Sequence, residues 1–267
     1  MENLSLVVFT VLGQGAAGMA FVLALQGLSR KEPPGGRLTV SYSVMIVLLG
    51  IAGMASLLHL GQPFRAINVL GGLAHGSPLS WEIVSVALFG AIAALVSMLH
   101  IRRHPLANNR VLQVTTAIAG LVMVFTMSRV YNLHTVDPWF SIWTPVQFMM
   151  TSLVLGFASV ITLDAMHSTG MQWMRVGVTV SALLTFMSIP LFVLFLGSLP
   201  GMTTILADNG LTMARCALLA VGALLLGMPL VNRKYIPACS IAGVACLVAS
   251  ELAGRVMFYD LLAFRIL

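Results

Sequence analysis

Eight stretches of about 20 apolar residues, each closed off by helix-breaking residues, dominate the sequence and leave little choice of fold. They run approximately from Leu6 to Leu28, Val40 to Leu60, Leu79 to Leu99, Val111 to Val130, Ile142 to Leu163, Met174 to Leu196, Leu211 to Leu230 and Ile236 to Tyr259. An α-helix of about 20 such residues crosses a hydrocarbon core of roughly 30 Å, so each stretch is predicted to be one membrane span. Between them stand Pro33-Pro34-Gly35-Gly36, Gly61-Gln62-Pro63, Gly76-Ser77-Pro78, His104-Pro105, Asp137-Pro138, Leu199-Pro200-Gly201 and Ile236-Pro237. These residues end helices by removing a donor or loosening the backbone. Apolar residues fill each stretch instead of alternating, which argues against a β-barrel.

Composition points the same way. Only 8% of the 267 residues are charged, about a third of the share in soluble domains, so the protein has too few to clothe a water-facing surface. Its 59% hydrophobic content excludes disorder. Three cysteines are too few for a disulfide scaffold, and no basic cluster suits nucleic acid. The first span lacks a positive leader and a small-residue cleavage site, and is expected to be retained. No connection has room for a soluble domain. The expected fold is an all-α integral membrane protein, one bundle of eight transmembrane helices over residues 1–267.

Eight spans place both termini on one side, here the N-side. Loops on the opposite side carry Arg30, Lys31, Arg37, Arg102, Arg103, Arg110, Arg175, Arg233 and Lys234, nine of the 14 basic residues. The N-side carries Arg65, Arg129, Arg215, Arg255 and Arg265, together with six of the eight acids. By the positive-inside rule the nine-residue side is cytoplasmic and both termini are periplasmic. The net charge of +6 then reflects topology and needs no acidic ligand.

The chemically unusual residues are also sided. Span 2 runs out through Ser56-Leu-Leu-His59-Leu-Gly61-Gln-Pro63-Phe-Arg65-Ala-Ile-Asn68, and span 3 opens with Leu79-Ser80-Trp81-Glu82. Span 4 ends in Ser128-Arg129-Val-Tyr131-Asn132, span 5 is entered through Trp139-Phe-Ser141-Ile-Trp143-Thr144-Pro145, and span 8 carries Glu251-Leu-Ala-Gly-Arg255-Val-Met-Phe-Tyr259. All are expected near the outer face. Ionisable groups at membrane depth are costly and persist where they pair or work. Glu251 and Arg255, four apart, share a helix face. With Glu82, Arg129 and Arg65 they would form a cluster of three positive and two negative groups.

Each of these also has a plainer use. Glu251 and Arg255 can be a packing pair, and Arg65 and Arg129 can be snorkelling interface residues. Trp139, Trp143 and Tyr131 suit an aromatic belt. His59 has the stronger chemical claim, because it adjoins a Gly-Gln-Pro break, and irregular backbone at membrane depth belongs where it lines a cavity.

No CxxC or CxxCH spacing is present to hold an iron–sulfur cluster or covalent haem. A bis-His haem would need paired histidines at one depth. His100, His104 and His167 fall on the opposite side from His59, and His75 and His134 fall in loops, so neither haem nor metal is predicted. No GxSxG elbow supports nucleophilic catalysis. Quinol oxidation suits what remains. It releases two protons and two electrons, needs a hydrogen-bonding acceptor such as a neutral His, and uses nearby acids as a relay and an apolar cleft for the lipid-soluble ring and tail.

The strings Val8-Phe-Thr-Val-Leu-Gly-Gln14, Ala55 to Asn68, Leu79-Ser80-Trp81-Glu82-Ile, Arg129-Val-Tyr131-Asn132 with Thr135-Val, Ser141-Ile-Trp143-Thr-Pro145, and Glu251-Leu-Ala-Gly254-Arg255 with Phe258-Tyr259 occur in order along nearly the whole sequence. They closely resemble the membrane-anchor subunit family of bacterial dimethyl sulfoxide reductase, the His-Leu-Gly-x-Pro-x-Arg-Ala string being the most specific. The resemblance implies an eight-helix anchor in the bacterial inner membrane that binds menaquinol as substrate and carries no prosthetic group. It also implies electron transfer to a four-cluster ferredoxin-like iron–sulfur subunit and then to a molybdopterin catalytic subunit. Menaquinol would engage His59, with Arg65, Glu82, Arg129, Tyr131, Glu251 and Arg255 as pocket or proton-relay residues.

The sequence departs from the family in its start, Met1-Glu-Asn-Leu-Ser in place of a Trp-rich stretch, in a shorter connection from Gly197 to Gly210, and in Asp260-Leu-Leu-Ala-Phe at its end. Two other readings use the same residues. A secondary transporter would use intramembrane ion pairs, but near the midplane and with inverted repeats. A passive tether would use the outer motifs for docking alone.

Overall fold

The computed structural model describes residues 4–29, 37–59, 71–165, 172–200, 210–232 and 237–262. Eight α-helices account for most of them: α1 (Leu4–Ser29), α2 (Arg37–His59), α3 (Pro78–Ile101), α4 (Arg110–Tyr131), α5 (Trp143–Ala165), α6 (Gln172–Gly197), α7 (Gly210–Asn232) and α8 (Pro237–Asp260). All eight are long and apolar enough to cross a membrane. The eight spans read from the sequence correspond one to one with these helices.

Local chemistry fixes several boundaries. Pro78 and Pro237 open α3 and α8, where the missing N–H costs nothing. Asn109 caps α4 by accepting from the Leu112 amide at 3.2 Å. The α3–α4 link is a 3-10 turn, Pro105–Asn108, begun by a hydrogen bond from the Leu106 amide to His104 Nδ1 at 3.2 Å. Pro190 and Pro229 lie inside α6 and α7. Toward the bundle end opposite the termini, Arg175 Nη1 donates to the Leu226 carbonyl at 3.2 Å and ties α6 to α7.

Helix α1 is the hub, with 78% of an 18-residue apolar stretch buried against 22% for the peripheral α7. It packs on α2, α4, α5 and α8. Helix α3 packs on α2 and α4, while α6 and α7 lie beyond α5 and α8. Small residues make the hub possible. A Cβ on Gly18 would collide with the Ser152 carbonyl of α5, and one on Gly156 would strike the Gly18 backbone. Helices in lipid gain little from hydrophobic exclusion, so such backbone-to-backbone approach is a main source of their attraction.

Cross-helix bonds record the antiparallel packing. At the end away from the termini, Ser97 Oγ donates to the Tyr42 carbonyl at 3.0 Å, and the His100 ring stacks on Tyr42 at 4.1 Å. At the N-side, Tyr131 of α4 meets Phe148 of α5 and Tyr259 of α8 at 5.7 and 5.4 Å between ring centroids. This second assembly builds the site.

Candidate functional site

Five helices converge on Arg255. Its Nη2 donates to Gln14 Oε1 of α1 at 2.7 Å and lies 3.5 Å from Thr151 Oγ1 of α5. Its Cζ stands 3.8 Å over the Phe148 ring, a cation–π contact strengthened by the burial of Arg255. The Thr151 hydroxyl donates to Glu251 Oε2 at 2.6 Å. Arg215 Nη2 of α7 approaches the same oxygen at 3.8 Å. On the far side of Gln14, Nε2 reaches Met127 Sδ of α4 at 3.5 Å.

This geometry revises the expected cluster. Glu251 and Arg255 are both buried, but Thr151 bridges them and the ion-pair partner of Glu251 is Arg215. Arg129 is exposed at the end of α4 and forms no ion pair with a described residue. Arg65, the Gly61-Gln62-Pro63 break and the His59 side chain lie outside the described residues. His59 itself is the last residue of α2.

The network is also deeper than an outer-edge cluster. At about 1.5 Å per residue, Glu251 lies about 13 Å before the end of α8, and Gln14 about 15 Å into α1. Arg255 starts closer to the surface, but a helical side chain leans toward its own N-terminus, which in α8 is inward.

Polar groups buried here retain unused capacity. Arg255 Nε and Nη1, Arg215 Nε and Glu251 Oε1 have no partner among the described residues. Each such atom carries a desolvation penalty of about 1 to 3 kcal/mol, which persists where a group works or where waters complete it. Gly254 makes the space for Arg215, since a Cβ at that position would run into its guanidinium.

An aromatic wall joins this network to Glu82. Trp139 is buried, stacks on Phe258 at 5.1 Å and donates Nε1–H to the Phe258 carbonyl at 2.8 Å. That carbonyl is in the last turn of α8, where no helical amide can reach it. Trp139 and Tyr131 therefore belong to a packed interior, not to an interfacial belt. Tyr131 and Tyr259 lie within electrostatic reach of both Arg255 and Glu82. Glu82 is buried, with Oε1 unpartnered among the described residues.

Gln14, Thr151 and Arg215 were not singled out from the sequence as site residues. Their signal is a polar group within an apolar span, deep in it for Gln14 and Thr151 and little more than one turn from its start for Arg215. Among the described residues no three His, Cys, Asp or Glu side chains gather as metal ligands would.

The sequence as a whole fits one family. The model of the DMSO reductase anchor subunit (DmsC) matches residues 1–261. The protein belongs to the DMSO reductase anchor subunit family. This anchor-family protein is 34% identical to the C subunit of the anaerobic dimethyl sulfoxide reductase of Escherichia coli K12, over 96% of its own length and 93% of the relative's. A second E. coli relative, the YnfH subunit of anaerobic dimethyl sulfoxide reductase, is 26% identical with the same coverage. The C subunit of the Haemophilus influenzae enzyme is 34% identical over 58% of this protein and 56% of its own length. Family membership and eight apolar helices together make this anchor-family protein a multi-pass membrane protein.

Proposed function

We propose that the protein is the membrane anchor of a dimethyl sulfoxide reductase-type complex and oxidises menaquinol at its N-side. The observation that carries this is the buried series of groups from Glu82 through the Tyr131–Tyr259 ring contact to Arg255, Thr151 and Glu251, toward the end of the bundle at which α2 terminates in His59. A neutral His59 accepts a hydrogen bond from the quinol hydroxyl and then its proton. Tyr131 and Glu82 carry protons toward the water, and the buried guanidinium of Arg255 stabilises negative charge on the ring oxygen as each proton leaves.

The electrons pass to a four-cluster ferredoxin-like iron–sulfur subunit and from it to a molybdopterin catalytic subunit. The iron–sulfur subunit docks on the same side as His59, because an acceptor on the other face would be about 30 Å away through the bilayer. Under the positive-inside reading that side is periplasmic. The test is His59→Ala in the complete complex. Quinol-driven reductase turnover should fall at least tenfold, while a soluble donor that reduces the partner subunits directly still drives it. Undiminished quinol oxidation would refute the proposal.

A further inference from the structure

A cavity of about 240 Å³ opens between α2 and α8. Its floor includes Gly15 of α1 and Leu155 of α5, both buried, and its walls are half-buried Val44 and Leu48 of α2 and Val244 and Val248 of α8. Among the described residues, α2 and α8 each pack on α1 but have no substantial contact with one another. The cleft therefore faces the lipid.

Its position relates it to the polar network. Gly15 follows Gln14, Leu155 lies one turn inward from Thr151, and Val248 lies one turn inward from Glu251. Toward the N-side, one wall continues along α8 to Arg255, about 10 Å beyond Val248. The other continues along α2 to His59, about 16 Å beyond Leu48. A molecule lying in the cleft would thus point its outer end between the two helices that carry the proposed proton acceptor and the buried guanidinium.

Size and polarity select which part of a ligand lies there. Pockets that enclose a whole small molecule occupy about 300 to 1,000 Å³, more than this cleft offers. Its lining is aliphatic except for Ser159 and Thr162 of α5, which lie one and two turns inward of Leu155, away from the Arg255 network. The stretch nearest that network offers nothing to orient a polar ring. A larger groove of about 750 Å³ lies between α6 and α7. Among the described residues, however, α7 packs chiefly on α6 and α8, so a tail in that groove would direct its head toward Arg215 and away from α2.

We propose that the α2–α8 cleft is the lateral entry and tail-binding groove for an isoprenoid quinol. The proposal rests on the quinol-oxidation reading above and adds the location of the tail. Narrowing the walls should therefore distinguish quinols by their tails.

The experiment compares the complete complex with its Val248→Phe and Val44→Phe variants, one on each wall, using a multi-isoprene menaquinol and a tail-less dimethylnaphthoquinol as donors. For the long-tailed donor KM should rise about tenfold, the equivalent of losing one well-buried apolar group. For the tail-less donor KM and kcat should stay within about twofold of the unmodified complex. A long-tailed quinone carrying a diazirine on its tail should label α2 and α8. Equal effects on both donors, no effect on either, or labelling confined to α6 and α7 or to bulk lipid would overturn the tail groove. Failure of the unmodified complex to oxidise either quinol, with soluble donors still active, would overturn the quinol-oxidation reading itself.

Discussion

Thr151 donates its hydroxyl hydrogen to Glu251 at 2.6 Å, and the threonine oxygen lies 3.5 Å from Arg255 Nη2. Two α8 residues of opposite charge, one turn apart, are thus connected through α5. The exchange of a direct i,i+4 pair for a bridged one matters, because the bridge holds both charges against a second helix. Thr151→Val removes the bridge at nearly constant volume. It should cost about 1 to 3 kcal/mol and weaken the coupling between Glu251 and Arg255, measured by double-mutant cycles on thermal unfolding in detergent. Unchanged coupling would show that the threonine is incidental.

Arg215 and Arg129 should behave in opposite ways. Arg215→Ala leaves the Glu251 carboxylate buried without its ion-pair partner, a change that typically costs about 3 to 5 kcal/mol. Arg129→Ala alters an exposed side chain and should stay within about 0.5 kcal/mol. The yield and unfolding temperature of the assembled complex report both. The combination Arg215→Met with Glu251→Leu should recover much of the stability lost in Arg215→Ala, since no charge is then stranded.

Gly254→Ala tests the space reserved for Arg215. The new methyl group would push the guanidinium from its place, at a cost of about 1 to 3 kcal/mol by overpacking. Because both changes disrupt one contact, Gly254→Ala should add little in an Arg215→Ala background. Strict additivity of the two losses would mean that the glycine serves another neighbour.

Docking of the iron–sulfur partner is expected at the N-side. A photo-crosslinker at Asn68, nine residues after His59 in the sequence, should capture that subunit, and one at Asn109, the cap of α4 at the opposite end, should not. Capture from Asn109 alone would place the partner on the opposite face and remove the electron route proposed here.

The sequence by itself determined the number of spans, their limits to within a few residues, and the concentration of Glu82, Tyr131, Glu251 and Arg255 toward one end. Those properties follow from hydropathy over about 20 residues and from helix-breaking residues, both local quantities. Tertiary structure decided which charges meet. Glu251 approaches Arg215 of α7, with Arg129 left exposed, and Gln14 reaches Arg255 across most of the sequence. It also placed Trp139 in the interior and left α2 and α8 apart to form a cleft. The physical reason is the solvent. In water a helix marks its buried face by an apolar stripe, whereas a membrane helix is apolar on both its lipid-facing and its protein-facing sides. Its orientation and neighbours are then set by close approaches such as Gly18 with Gly156 and by the few polar groups that must find partners.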